Sequence, residues 1–393
     1  MSEHYLKAIF DPSSVAVIGA SETEYTQAAL ITEKLHREFT GKLFFVNPKH
    51  KTILDETCYK HVTDVKESVD LAVIISPTHT VMSIVHQCAE QGIKNIAIMS
   101  KFSSKYRGEV TQEMKSLREV AQDLDVRFMG PNVSALVRPS SKFNLSTTNN
   151  KILPGKLALV SRSSSVCNTV IDWAEFEQIG FSSIISHGIA VDIGLADILD
   201  FLASDYRTNG IILYINHIRN SRRFMSALRA AAKLKPVIVL KSARENGTYS
   251  DVLTKIDNVH VMHDTFLAAV LRAGADNVSS LSHLFAAAKI LSSNQRTNGK
   301  RLGIISNGYG PVMLANDRLR ALGFETITFS PELVEKLKGT SSSSFSFDNA
   351  IVMPDSEDVE QLYVKGTQSL LASKEVDAIA IFLAPCAMTD PRQ

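Results

Sequence analysis

The stretch Val15-Ala16-Val17-Ile18-Gly19-Ala20-Ser21 constrains the fold most. Four apolar residues, mostly β-branched, run straight into three small ones, which reads as a buried strand ending in a tight turn. Ala28, Ala29, Leu30, Ile31, Lys34 and Leu35 then follow with helical spacing. A strand, a small-residue turn and a helix form the first half of a βαβ unit. Small residues let a ligand approach the backbone, and the free N–H groups at the helix start suit a phosphate. Gly19 is the sole glycine between Val15 and Gly41, so the G-x-G-x-x-G fingerprint is missing. Asn47-Pro48-Lys49 stands where a dinucleotide-binding domain keeps an acid for the ribose, which weakens the case for NAD.

The same pattern continues. Leu43–Val46, Leu71–Ile75, Asn95–Met99 and Val126–Met129 read as further strands, with amphipathic helices around Val81–Cys88 and Val110–Val120. Such alternation gives a parallel sheet, with ligands gathering outside the carboxyl ends of its strands. Those ends carry Gly19, Asn47, Ser76, Ser100 and Asn132, five small or polar residues in succession. Residues 138–156 are rich in Ser, Thr, Asn and Pro and read as a linker or crossover arm.

The pattern restarts twice. Lys156–Val160 leads into the turn Ser161-Arg162-Ser163-Ser164-Ser165 and a helix, then come strands at 181–186, 210–215 and 236–240 and a helical pair from about 265 to 291. Leu302–Ile305 leads into Ser306-Asn307-Gly308-Tyr309-Gly310-Pro311, with later strands expected at Glu325–Phe329 and Ala378–Leu383. Serine-rich turns opening helices supply N–H donors, hydroxyls and the positive end of the helix dipole. Those of the second and third repeats could together hold one inorganic phosphate. N-capping by serine accounts for one such turn without any ligand; three in the same order favour a shared role. The reading is an α/β protein of three doubly wound, Rossmann/flavodoxin-like domains with parallel sheets, at 1–140, 150–292 and 300–393. The third is expected to be incomplete, because the chain stops ten residues after its last strand, as a fragment would.

Composition narrows the class. With 393 residues and a formal net charge of +1, no long run of one sign offers a nucleic-acid surface. No apolar stretch spans a bilayer, and the amino terminus lacks the signal-peptide pattern. Cys58, Cys88, Cys167 and Cys386 are scattered with no C-x-x-C, so neither zinc nor disulfides are expected, and a reducing cytoplasm fits.

The stretches FDPSSVAVIGASE, FFVNPK, DLAVIISPTHT, MGPNVSAL, GKLALVSRSSSV, VDIGLADILDFLASDYRTNGIILYI, KPVIVLKSAR and IISNGYGP resemble the NDP-forming acyl-CoA synthetases, relatives of the succinyl-CoA synthetase α subunit. The resemblance covers nearly the whole chain. It implies a first domain that binds coenzyme A or acetyl-CoA. Gly19, Ala20 and Ser21 would approach the CoA phosphates and Lys49 would offer them a charge. Asn47, Pro48, Ser76, Pro77, Thr78, Ser100, Pro131 and Asn132 would line the rest. Ser161, Ser163, Ser164 and Ser165 match the phosphate-binding turn of the second domain, and Gly308 and Gly310 that of the third.

The chain departs from that family in three places. Ala28 stands where members usually carry a second glycine. The phosphate-carrying histidine, normally in a His-Thr-Gly or His-Ala-Gly segment, should fall near Lys255, within Thr254-Lys255-Ile256-Asp257. His260 and His263 lie close by but lack the small residues of that loop. The Asn-Pro-x-Asp segment common in the third domain is changed to Asn349-Ala350-Ile351-Val352. Without a carrier histidine, phosphoryl transfer to a nucleotide has no relay. A branch of the family that lacks the histidine is fused to a GNAT domain acetylating protein lysines, and DWAEFEQIGFSSII looks most like that branch. The expectation is a CoA thioester-binding, synthetase-like region, regulatory and not catalytic alone, with a GNAT or ATP-grasp domain in cis or trans and a possible homo-oligomer. The alternative is an α-type subunit working with a separate ATP-grasp subunit.

Overall fold

In the computed structural model, the residues described are 4–102, 111–216, 218, 220–242, 263–293, 299–325, 327–338, 345–347, 349–353 and 359–386. The expected histidine position near 254–257, and His260, lie outside them, as does the side chain of His263. Two compact units emerge, Met1–Asn294 and Gln295–Gln393.

The first unit opens with α1 (Lys7–Phe10), β1 (Ser14–Ile18), α2 (Gln27–Glu38), β2 (Lys42–Val46), β3 (Thr52–Ile53), β4 (Glu56–Tyr59), β5 (Leu71–Ile74), α3 (Thr78–Glu90), β6 (Asn95–Ile98), α4 (Gln112–Asp123) and β7 (Arg127–Met129). Their sheet has the order β3-β4-β2-β1-β5-β6-β7. β1 pairs in parallel with β2, Val15 opposite Leu43, and with β5, Val15 opposite Leu71. Val15 and Val17 face one core cluster and Ala16 and Ile18 another. A central parallel strand is covered on both faces, which is why Val15–Ile18 of β1 is an unbroken apolar run.

A second sheet follows: β8 (Ala135–Arg138), β9 (Phe143–Asn144), β10 (Pro154–Ser161), α5 (Ser164–Phe176), β11 (Phe181–Ser186), α6 (Leu195–Ser204), β12 (Gly210–Ile215), α7 (Ser221–Leu234), β13 (Val237–Lys241), α8 (His263–Arg272), β14 (Asp276–Val278) and α9 (Leu281–Ser292). Its order is β14-β13-β12-β10-β11-β8-β9. One core joins the two sheets: Val15 and Val17 of β1, Ile31 and Leu35 of α2, Phe143 of β9, Ile185 of β11 and Leu213 of β12 belong to a single cluster.

The second unit holds β15 (Leu302–Ser306), α10 (Tyr309–Ala321), α11 (Pro331–Lys338), β16 (Phe345–Phe347), β17 (Ala350–Val352), α12 (Val359–Ser373) and β18 (Ala378–Phe382). These strands form a small third sheet, β16-β17-β15-β18.

The α/β, Rossmann/flavodoxin-like reading holds, with one correction. The sheets are mixed and mostly parallel, not purely parallel. β8 runs antiparallel to β11, β9 to β8, β3 to β4 and β16 to β17. In three of these pairs, β8/β9, β3/β4 and β16/β17, short strands consecutive in the chain pair antiparallel because no crossover helix separates them, whereas β8 reaches β11 across β9, β10 and α5. Part of the expected crossover arm is thus built into the second sheet through β9. The strand expected at Glu325–Phe329 reduces to one bridge between Arg301 and Glu325 among the described residues.

Candidate functional site

In a doubly wound sheet, ligands bind where the strand order reverses. In the first sheet that point lies between β1 and β5. Gly19, just past β1, adopts φ +92°, and a Cβ there would sit 2.7 Å from Ser76 Oγ and 3.0 Å from Ser76 N. Only glycine combines that backbone with so close a neighbour. Gly19 N–H donates to the Val46 carbonyl at 2.8 Å, and Ile75 N–H to the Ile18 carbonyl at 2.9 Å. The Asn47 side-chain amide donates to the Ala20 carbonyl at 2.8 Å, and Asn47 Oδ1 accepts from Lys49 N–H at 3.0 Å. Pro48 and Lys49 are therefore presented at an exposed turn held by Asn47. Ser21 Oγ accepts from Thr23 N–H at 3.0 Å.

Two further strand ends are tied to this point. Ser100 Oγ donates to the Ser76 carbonyl at 2.6 Å. Asn132, at φ +64°, accepts from Phe102 N–H at 2.7 Å and donates to the Phe102 carbonyl at 3.1 Å. Ser100 and Pro131 are buried, so they set the loop rather than face solvent. Pro77 and Thr78 start α3.

The second sheet reverses between β10 and β12. Ser161 is fully buried; its hydroxyl donates to the Ser163 carbonyl at 2.9 Å and accepts from Ser163 N–H at 3.0 Å. Ser163 in turn caps α5 by accepting from Val166 N–H at 3.4 Å, with Ser165 Oγ 3.0 Å away. Ser161 builds the turn, and Ser163 and Ser164 remain at its surface.

One cleft of about 1420 Å³ is lined from both sheets; the β10/β12 reversal point borders it, whereas Gly19 and Ser76 at the β1/β5 reversal do not line it. From the first sheet come the start of α2, from Glu24 to Glu33, together with Lys101, Phe102 and Asn132; from the second come Arg162, Ser163, Ser164 and Asn216. Thr147 and Asn149 close one wall. Their segment is anchored by Lys34 of α2, 4% exposed, whose ammonium donates to the carbonyls of Ser146, at 2.9 Å, and Thr148. Burial pulls that ammonium down to about 8, with Glu38 raising it and Arg37 lowering it. Of the residues singled out in the sequence, Asn132, Ser163 and Ser164 line the cleft. Gly19, Ala20, Ser21, Asn47, Pro48, Lys49, Ser76, Pro77 and Thr78 gather at the β1/β5 reversal. Ser100 connects the two groups.

The sequence reading pointed to the start of α2 and ended the 181–186 strand at His187-Gly188, but did not name Lys101, Thr147, Asn149 or Asn216 as site residues. Asn216 follows β12 directly, so the strand-end rule applied to the second sheet finds it. Thr147 and Asn149 lay in the polar arm and carried no separate signal.

In the second unit, Ser306 Oγ accepts from Gly308 N–H at 3.1 Å. Asn307 bridges to the end of β18, accepting from Ala384 N–H at 2.8 Å and donating to its carbonyl at 2.7 Å. Gly308 caps α10 and Gly310 lies in its first turn, exposed. No group of metal-ligating side chains occurs among the described residues. Cys58, Cys88, Cys167 and Cys386 are free thiols, and no helix among the described residues is long and apolar enough to cross a membrane.

The architecture is that of a CoA-binding domain followed by a ligase-type flavodoxin domain, and the comparisons agree. Residues 13–138 match the CoA binding domain family, and residues 154–291 match the succinyl-CoA ligase like flavodoxin domain. The chain is 29% identical over 394 residues to the α subunit of ADP-forming acetate–CoA ligase I of Pyrococcus furiosus, spanning 99% of this chain and 85% of that one. It is 28% identical over 387 residues to ADP-forming acetate–CoA ligase I of Archaeoglobus fulgidus, spanning 98% of this chain but only 56% of that longer protein. The solved structure of dinucleotide-forming acetyl-coenzyme A synthetase 1 of Ca. Korarchaeum cryptofilum, in complex with phosphate and ADP, superimposes with a TM-score of 0.90 at 26% identity, over 99% of this chain and 84% of that one. The chain is similar to the α-subunit-like, succinyl-CoA ligase-like NDP-forming acetyl-CoA synthetases over nearly its whole length, and its first domain is a coenzyme A-binding domain.

Proposed function

We propose that this chain is the CoA-binding, α-type part of an NDP-forming acyl-CoA ligase and works with a separate ATP-grasp subunit. The observation that carries the reading is a cleft lined from both sheets, with the Ser163 turn from the second sheet and the start of α2 and Asn132 from the first. A CoA thioester enters from the first sheet, with its phosphates at Gly19–Ser21 and Lys49. Its acyl end meets a phosphate at the Ser163–Ser165 turn, where N–H groups and the helix dipole favour an anion. Within the second unit, Gly308 and Gly310 form a turn of the same strand-to-helix type. The likeness to a Pyrococcus α subunit over nearly the whole chain supports a partner in trans. The lysine acetyltransferase reading has no such support, since the relatives compared are ligases. A cytoplasmic location fits four free thiols.

One observation favours a second reading, in which the chain binds the thioester and passes on no phosphoryl group: Thr254-Lys255-Ile256-Asp257 holds no histidine. Labelled ATP and an ATP-grasp subunit separate the two. Acid-labile label on His260 or His263 supports the ligase. CoA binding without label supports the thioester-binding module.

A further inference from the structure

Tyr25 is the most exposed large apolar side chain among the described residues, at 102% of its reference area, and it lines the cleft. Its backbone lies at φ +60°, the left-handed region that a bulky residue rarely adopts. The conformation is held from both sides. Ser21 Oγ accepts from Thr23 N–H at 3.0 Å and donates to Thr23 Oγ1 at 3.0 Å; Thr26 Oγ1 donates to the Thr23 carbonyl at 2.7 Å and accepts from Ala29 N–H at 3.1 Å. The turn thus fixes an aromatic ring in solvent at the mouth of the cleft, with unfavourable backbone and no packing to offset it. Strain of this kind persists where the surrounding structure enforces it, and it clusters at ligand clamps.

We propose that Tyr25 is a stacking platform for the purine ring of CoA. This rests on the CoA-binding reading above and names the residue that holds the nucleotide end. A free tyrosine face offers chiefly a flat π surface, and CoA has one flat aromatic group, its adenine. Gln27, on the same wall, adds an amide with both donor and acceptor for the base edge.

The test is calorimetric titration of the full chain and its Tyr25→Phe, Tyr25→Ala and Tyr25→Gly variants with three probes: CoA, adenosine 3′,5′-bisphosphate and 4′-phosphopantetheine. Loss of one base–aromatic stack lowers affinity about tenfold. That loss is expected for CoA and the bisphosphate in the Ala and Gly variants. The Phe variant keeps its affinity, and phosphopantetheine binding is unchanged throughout. Tyr25→Gly also melts no lower than the native chain, because glycine adopts φ +60° without strain. A structural tyrosine gives the reverse: a lower melting temperature with unaltered CoA affinity. That result, or an equal loss for phosphopantetheine, overturns the proposal. If the native chain itself fails to bind CoA, the parent reading fails first and this inference falls with it.

Discussion

Ser100 Oγ donates to the Ser76 carbonyl oxygen at 2.6 Å, tying the end of β6 to the end of β5. Through this bond the reversal point of the first sheet, where Gly19 meets Ser76, is mechanically continuous with the Asn132 loop that lines the cleft. The strand-end residues proposed to bind CoA are therefore tied into one framework, and changes at its joints should move affinity and stability together.

Gly19 is one joint. Gly19→Ala places a Cβ 2.7 Å from Ser76 Oγ at φ +92°. Urea denaturation should show a loss of about 2 kcal/mol, the ordinary scale for a strained backbone position. CoA affinity should fall with it.

Asn132 is the other. Its amide makes both hydrogen bonds to Phe102, at 2.7 and 3.1 Å, from a left-handed backbone. Asn132→Ala removes both and should cost about 2 kcal/mol, at roughly 1 kcal/mol per bond. Titration should show weaker CoA binding, because the loop carrying Lys101 and Phe102 loses its anchor.

Away from the cleft, Arg138 and Asp205 form a buried pair, with side chains 3% and 4% exposed and two contacts of 2.7 Å. Burial raises the Asp205 pKa, but hydrogen bonds from Arg138 and Thr208 outweigh it and leave the pKa below the usual carboxylate value. The pair's contribution is complete above the unfolded value of about 3.9 and is lost as pH falls through the folded value. Arg138→Met leaves a buried carboxylate and should cost about 3 to 5 kcal/mol at neutral pH. Below pH of about 4 the gap between native and variant should narrow, as unfolding free energies measured across pH will show.

Lys34 titrates in the opposite range. Its folded pKa of about 8 lies below the ordinary lysine value of 10.5. Between those values the unfolded chain binds more protons, so this group makes stability rise with pH. Lys34→Met should remove that rise. The variant should also bind CoA less tightly, since the wall carrying Thr147 and Asn149 loses its anchor.

The central sheet was legible because β1 is buried on both faces and Val15–Ile18 is an apolar run, a pattern that β5 repeats beside it. The strand ends were legible for the same reason: Gly19, Asn47, Ser76, Ser100 and Asn132 interrupt those runs. The short strands β3 and β9 were not. Two residues each, they carry no periodicity, and only tertiary pairing defines them. Tyr25 and Lys34 were invisible as site residues for a different reason. One is an exposed aromatic and the other a buried cation, and both properties arise from the fold around them rather than from their neighbours in sequence.

The most direct test of the account is calorimetric titration of CoA into this chain beside its Lys49→Ala variant. The account predicts saturable binding that weakens when the exposed Lys49 charge is removed. Absence of binding by the native chain at millimolar CoA would contradict it.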